Sequence, residues 1–313
     1  MDRKPQMDAF GALSLTGFAL LLALNQVVIK ITNEGLQPIF FAGLRSAGGA
    51  ICILLWMKAR GIRIHIAPGT VPAGLLIGVA FAVEFIFLFV ALDLTTVTRT
   101  SIIFYTMPFW LALAAHFVLP GERLTGVKLA GLGLALGGVA YAIAQRSGPD
   151  GQASLMGDLC ALAAALAWAG IALCARATVL KTVRPEVQLL WQLTVSAPIL
   201  LLAALLFGPL LRDPTWIHWA GLAFQIFFVV SAGFLFWLWL LSIYPAAAVA
   251  SFSFLSPIFG VLLGWLLLGE HVGSEIIVAL VLVCVGLLLI NRPTRGRPRS
   301  ADDPMRGPQP RRG

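Results

Sequence analysis

Apolar residues along this chain do not form one-sided stripes. They fill runs of about 20 positions, near 9–31, 37–57, 71–92, 97–118, 124–144, 156–177, 187–207, 217–241, 246–268 and 274–291, separated by short polar segments. A helix crossing the hydrocarbon core of a bilayer needs roughly 20 apolar residues. The pattern predicts an all-α, polytopic membrane protein of ten transmembrane helices. Between the fifth and sixth runs stand the turn formers Ser147-Gly148-Pro149-Asp150-Gly151. The first run, from Ala9 to Ile31, is too long for a signal-peptide core and lacks a clear small-residue cleavage site.

The runs repeat after five. Gly11-Ala12-Leu13 near the start of the first is matched by Gly157-Asp158-Leu159 in the sixth, and each run then ends on a cation, Lys30 or Arg176. Pro38 and Pro185 begin the second and seventh. Phe87-Leu88-Phe89 pairs with Phe234-Leu235-Phe236, Pro108 with Pro257, and Gly121-Glu122 with Gly269-Glu270. Five is odd, so the second set enters the membrane in the opposite sense. Such inverted repeats recur in secondary carriers, where exchanging the conformations of the halves turns an outward-facing site inward. The organisation expected is a cytoplasmic N-terminus (1–8), a first five-helix repeat (9–144), a linker (145–155), a second, inverted repeat (156–291) and a tail (292–313).

The residues Pro38 and Arg45, the Pro108 helix followed by Gly121-Glu122-Arg123-Leu124 and a glycine-rich helix, and the return of that unit at Pro257 and Gly269-Glu270 resemble the drug/metabolite transporter superfamily, EamA type. The resemblance covers about residues 9–291. It implies ten helices in two inverted repeats, a central cavity and export of metabolites such as amino acids. Two departures stand out: Gln192 occupies the place where the second half would echo Arg45, and Pro120 precedes the first Gly-Glu.

Composition agrees with a lipid solvent. Hydrophobic residues make up 59%, charged residues 12%, and the mean hydropathy is +0.91; a soluble domain carries about 25% charged residues. Loop Lys and Arg fall on one side if the N-terminus is cytoplasmic, leaving Arg146 and Arg212 on the other. Both termini are then expected in the cytoplasm and the chain in the cell (inner) membrane. The net charge of +8 is concentrated after Asn291, where seven arginines lie among prolines. That segment cannot bury a core and is expected to be disordered. Beside a membrane it suits anionic lipid, and no nucleic-acid partner is expected. The four cysteines lie in apolar runs without metal-ligand spacing, so neither a disulfide nor a metal or other cofactor is expected.

Charges inside a span are costly, about 2.5–3.5 kcal/mol at the helix centre, and tend to face a cavity or a partner. Glu84, deep in Phe81-Ala82-Val83-Glu84-Phe85, could bind a substrate ammonium or carry a coupling proton; the structural alternative is an ion pair with Arg45 or Lys30. Arg45, mid-span, could clamp a carboxylate or tie helices through backbone carbonyls. Lys30 is expected to snorkel from the end of the first span. Asn25 and Gln26, one turn deeper, are cavity candidates, with interhelical hydrogen bonding as the alternative. Tyr105, Trp168, Trp237 and Ser253 complete the candidate cavity. Pro108 and Pro257 are expected to break their helices at corresponding points, a pointer to a carrier's site. Gly74-x-x-x-Gly78, Gly133-x-x-x-Gly137 and Gly260-x-x-x-Gly264 suit close packing within the monomer, with a homodimer the weaker option. Glu122 and Glu270 are read as helix-capping or loop-anchoring groups near solvent.

No Walker A loop, GxGxxG or HExxH motif is present, which argues against an ATP-driven pump, and no convergent catalytic set suggests an enzyme. A small-molecule carrier is the favoured reading; a channel, or a sensor or scaffold without carrier activity, is its rival. The paired prolines and the repeat favour the carrier.

Overall fold

The computed structural model describes residues 7–66, 69–119, 122, 124–145, 154–244, 249 and 252–291. Among the described residues the main elements are helices: α1 (Ala9–Gly35), α2 (Pro38–Ala59), α3 (Thr70–Leu94), α4 (Val97–Val118), α5 (Gly126–Ala144), α6 (Leu155–Ala177), α7 (Pro185–Ala204), α8 (Trp216–Phe224, Gln225–Gly233 and Phe234–Ile243), α9 (Phe252–Leu268) and α10 (Ser274–Ile290). The first eight are long and apolar enough to span a membrane, and α9 and α10 are shorter apolar helices. The chain is thus a multi-pass membrane protein.

Polar residues at the boundaries explain where helices begin. Asp8, Thr96, Thr125 and Ser154 accept a backbone N–H of the first turn of α1, α4, α5 and α6. Pro38 and Pro185 stand in the first turn of α2 and α7, where no N–H is missed. The prolines expected to break α4 and α9 act in the same way. The interruption in α4 falls at Tyr105 and Thr106, and Pro108 opens the segment Met107–Val118. In α9 a 3-10 turn, Phe252–Phe254, precedes Leu255, and Pro257 lies in the first α-turn. A third interruption was not expected: the middle of α8, Gln225–Gly233, is wound as a π-helix, a form that often marks functional sites.

Repeat-related helices pack against one another, α2 on α7, α4 on α9 and α5 on α10. Each pair runs antiparallel. Ser196 Oγ donates to Ser46 Oγ at 3.1 Å, while Gly43 lies beside Leu201 and Gly49 beside Leu193. Gly260 meets Ser101 and Gly264 meets Thr98; Gly131 meets Gly286 and Gly138 meets Ala279. The inversion inferred from the odd number of spans is therefore visible in the packing. Other principal contacts exchange with the halves: α3 on α6 corresponds to α8 on α1, and α3 on α7 to α8 on α2.

Lipid offers helices no hydrophobic reason to associate, so small residues and interhelical hydrogen bonds carry the packing. Gly74 and Gly78 admit Trp191 and Val195 of α7, and Gly260 and Gly264 admit α4. Gly133 and Gly137 do not follow suit: nothing lies within 4 Å of where their side chains would be, and Gly131 and Gly138 on the other face of α5 make the close approach instead.

Candidate substrate site

Two polar clusters meet at the middle of α1, where Asn25 and Gln26 are adjacent and both buried. Neighbours on a helix point about 100° apart, so the two amides serve different partners. Asn25 faces α8 and α2. Its Oδ1 and its carbonyl both accept from Nε2 of Gln225, and Gln225 Oε1 accepts from Arg45 Nε at 2.9 Å. The Arg45 guanidinium also lies 4.2 Å over the Phe85 ring, a favourable cation–π geometry. Gln26 faces α4 and α9: its Oε1 accepts from Ser101 Oγ at 2.6 Å, and the buried Tyr105 hydroxyl turns toward Gln26 and Ser256.

Glu84 is 3% exposed and Arg45 6%. Each is the opposite charge that bears on the other, yet among the described residues no ion pair joins them. Arg45 Nη1 and Glu84 Oε2 are both buried without a hydrogen-bond partner. Buried charged groups are normally fully bonded because the cost of leaving them bare is high. Two bare atoms of opposite charge thus lie buried on α2 and α3, which pack against each other.

The remaining candidates make none of these hydrogen bonds. Trp168 is half-buried on α6 and packs against the main core. Trp237 stacks on Phe18, with ring centroids 5.0 Å apart, in a cluster that includes Leu15, Leu240 and Tyr244. Ser253 accepts from Asn291 Nδ2 at 3.1 Å and so ties the start of α9 to the end of α10.

Lys30 does not snorkel. The first helix continues to Gly35, and Lys30 Nζ donates to the carbonyls of Leu92 (3.0 Å) and Thr95 (2.8 Å) at the end of α3. Glu270 does cap a helix, but a buried one: it accepts from Val97 N, Thr98 N and Thr98 Oγ1. Glu122 pairs with Arg176 at the surface; Gly121 and Arg123 beside it lie outside the described residues, as do Pro120, the turn formers 147–151 and the basic tail. Sequence reading missed two groups. Gln225 had a visible signal, a lone amide in Leu222-Ala223-Phe224-Gln225-Ile226-Phe227. Arg99 at the edge of a span gave no hint that it would bind Asp158, with Nη2 to Oδ2 at 2.5 Å and Nε to Oδ1 at 3.0 Å.

The EamA-like transporter family pattern matches this chain twice, over residues 9–144 and 155–292. The chain belongs to that family. An uncharacterized transporter of Bacillus subtilis, YoaV, is 25% identical over 88% of this chain and 95% of its own length. A protein of Escherichia coli named as a probable amino-acid metabolite efflux pump is 28% identical over 85% of this chain and 89% of its own. The aromatic amino acid exporter YddG of Ancylobacter novellus is 31% identical over half of this chain and 55% of its own. A crystal structure with 22% sequence identity superposes with a TM-score of 0.63 over 89% of this chain and 97% of that one, which shows a shared fold.

Proposed function

We propose that this protein is a secondary carrier that exports small zwitterionic metabolites, amino acids or their relatives, by alternating access. The observation that carries this reading is the pair Arg45 and Glu84, buried and mutually attracting, each with an atom left bare. Charges placed only to neutralise one another gain most by direct contact, since a buried charge without a partner is strongly destabilising. A zwitterion supplies both missing partners, its carboxylate to Arg45 Nη1 and its ammonium to Glu84 Oε2. Phe81, Phe85 and Tyr105 offer apolar surface for a side chain. The names borne by the Escherichia coli and Ancylobacter relatives support this substrate class and the direction of export. When substrate is absent, Glu84 is also the group placed to carry a coupling proton.

In this reading the protein sits in the inner membrane with both termini cytoplasmic, as the distribution of loop cations favours. The arginine-rich tail rests on anionic headgroups, and one chain, alone or paired in a homodimer, forms a complete site. No enzymatic step is involved.

Counterflow in proteoliposomes loaded with a panel of amino acids, amines, sugars and nucleotides tests the proposal. Saturable exchange of amino acids, abolished in Arg45→Gln and strongly weakened in Glu84→Gln, is the expected result. Flux that rises without saturation would replace the carrier with a channel. If exchange persists in Glu84→Gln while uptake driven by a proton gradient is lost, Glu84 carries the proton and not the ammonium.

A further inference from the structure

Phe81, Phe85 and Phe89 follow one another at intervals of one turn along one face of α3. Their ring centroids lie 4.5 Å apart in the first pair and 5.6 Å in the second. Phe89 meets Phe41 of α2 edge-on at 5.1 Å. One turn along α2 from Phe41, the next place in the row belongs to Arg45, whose guanidinium carbon lies 4.2 Å from the Phe85 centroid. None of these five residues is more than 9% exposed. The pairing of 41 with 89 and of 45 with 85 is that of antiparallel helices. Rings at this spacing are ordinary packing, and another ring or an aliphatic chain at position 45 would complete the row. A cation there is the departure.

Phe85 offers Arg45 the negative face of its ring, an attraction that grows away from water. Edge-to-face contacts with its neighbours along α3 fix the orientation of that ring. Glu84 is the adjacent residue and projects about 100° away from Phe85. The face of α3 that meets Arg45 therefore carries a ring and not the carboxylate. Gln225 of α8 takes Arg45 Nε. So held, the guanidinium makes no ion pair with Glu84, and among the described residues Arg45 Nη1 and Glu84 Oε2 stay bare.

We propose that Phe85 is a positioning residue of the substrate site: its ring holds Arg45 off Glu84, so that the two charges stay open to a zwitterionic guest and do not close on each other. Without the ring face the guanidinium gains most by turning to Glu84, the carboxylate whose charge bears on it. Opposite charges attract strongly out of water, and a direct pair satisfies both bare atoms. The site would then be filled by its own charges. A guest would first have to part them, and its apparent affinity would fall with the fraction of open sites. The purpose of this spacing rests on the zwitterion reading, but the spacing itself is read from stability and not from flux.

The test is a double-mutant cycle on the thermal midpoint of the full chain in nanodiscs, with Glu84→Gln made in wild type and again in Phe85→Leu. In wild type the carboxylate has no ion pair to lose, so Glu84→Gln should leave the midpoint level or raise it. In Phe85→Leu the pair has formed, and breaking it should lower the midpoint by at least about 4 °C. The packing lost with the ring is common to both members of the second comparison and cancels. Phe85→Tyr keeps the ring face and should keep the wild-type response to Glu84→Gln. In counterflow with a mixture of the common L-amino acids, Phe85→Leu should raise the half-saturation concentration on the order of tenfold, with a much smaller change in maximal rate. The same response to Glu84→Gln in both backgrounds would overturn the proposal and leave Phe85 a packing residue. Reversal with an unchanged half-saturation would overturn it too, since the pair would then stand outside the site. If Phe85→Leu fails to fold, Phe85→Met takes its place and must show the same reversal; otherwise the proposal falls. Reversal in a protein that exchanges no amino acid would retain Phe85 as the spacer and remove the zwitterion reading.

Discussion

Arg45 on α2 donates a 2.9 Å hydrogen bond from Nε to Oε1 of Gln225 on α8, and this bond sets the direction of the remaining guanidinium nitrogens. Gln225 is itself held, since its Nε2 donates to Asn25, and it begins the π-helical segment of α8. The amide works as a bracket between α1 and α2, turning Nη1 of Arg45 away from protein partners.

Replacing Gln225 with Leu should therefore raise the half-saturation concentration in counterflow on the order of tenfold, the worth of about one hydrogen bond to a charged group. The maximal rate should change much less. An unchanged half-saturation would mean that Arg45 is oriented by something other than Gln225.

The pair Arg99–Asp158 is buried, with side-chain exposures of 5% and 0%. Arg99 also donates to the carbonyls of Ala142 and Gln145 at the end of α5, and Thr95 Oγ1 donates to Asp158. Removing one partner of such a pair typically costs about 3–5 kcal/mol, because the other is left bare. Asp158→Asn and Arg99→Met should each lower the thermal midpoint in detergent markedly, and Arg99→Met with Asp158→Leu should recover much of the loss. A double variant that is worse than the sum of both singles would contradict this account.

Arg176→Gln should behave differently. Its ion pair with Glu122 is half exposed, a setting worth roughly 0–1 kcal/mol, so the thermal midpoint should barely move. A drop as large as that of Asp158→Asn would show that the exposed pair carries stability beyond its geometry.

The two faces of α5 give a fourth expectation. A side chain at Gly131 would come 2.9 Å from the carbonyl oxygen of Gly286, and one at Gly138 would come 3.0 Å from that of Ala279. Gly131→Leu and Gly138→Leu should force α5 and α10 apart and reduce the yield of monodisperse protein in detergent. Gly133→Leu and Gly137→Leu meet nothing within 4 Å in the monomer and should leave the thermal midpoint near wild type. Equal loss from all four would mean that the open face of α5 is also packed, against another molecule.

Much of this architecture is legible without coordinates because lipid imposes it. A bilayer admits a helix only where about 20 apolar residues are contiguous, so the spans stand out as runs, and boundaries differ by a few residues where a helix extends into the interface, as α1 does to Gly35. The repeat is legible through Pro108 and Pro257 and through the two Gly-Glu steps, whose backbone consequences are local. What each buried polar group bonds is not local. Lys30 reaches across 62 and 65 positions, Glu270 across 173, and Arg45 across 180. Those partners depend on how each helix is rotated and crossed against its neighbours. In lipid that is settled by small-residue contacts and hydrogen bonds whose sequence signal is weak, as the choice of Gly131 and Gly138 over Gly133 and Gly137 shows. The chain's own sequence determined that it spans a membrane as two related five-helix sets. Only the tertiary structure decided that Arg45 and Glu84 stay unpaired, that Lys30 and Glu270 hold the turn between α3 and α4, and that Arg176 and Glu122 pair with each other at the surface. Equivalent residues in an inverted repeat read alike along the chain, and they differ once each has met its own neighbours in the packed bundle.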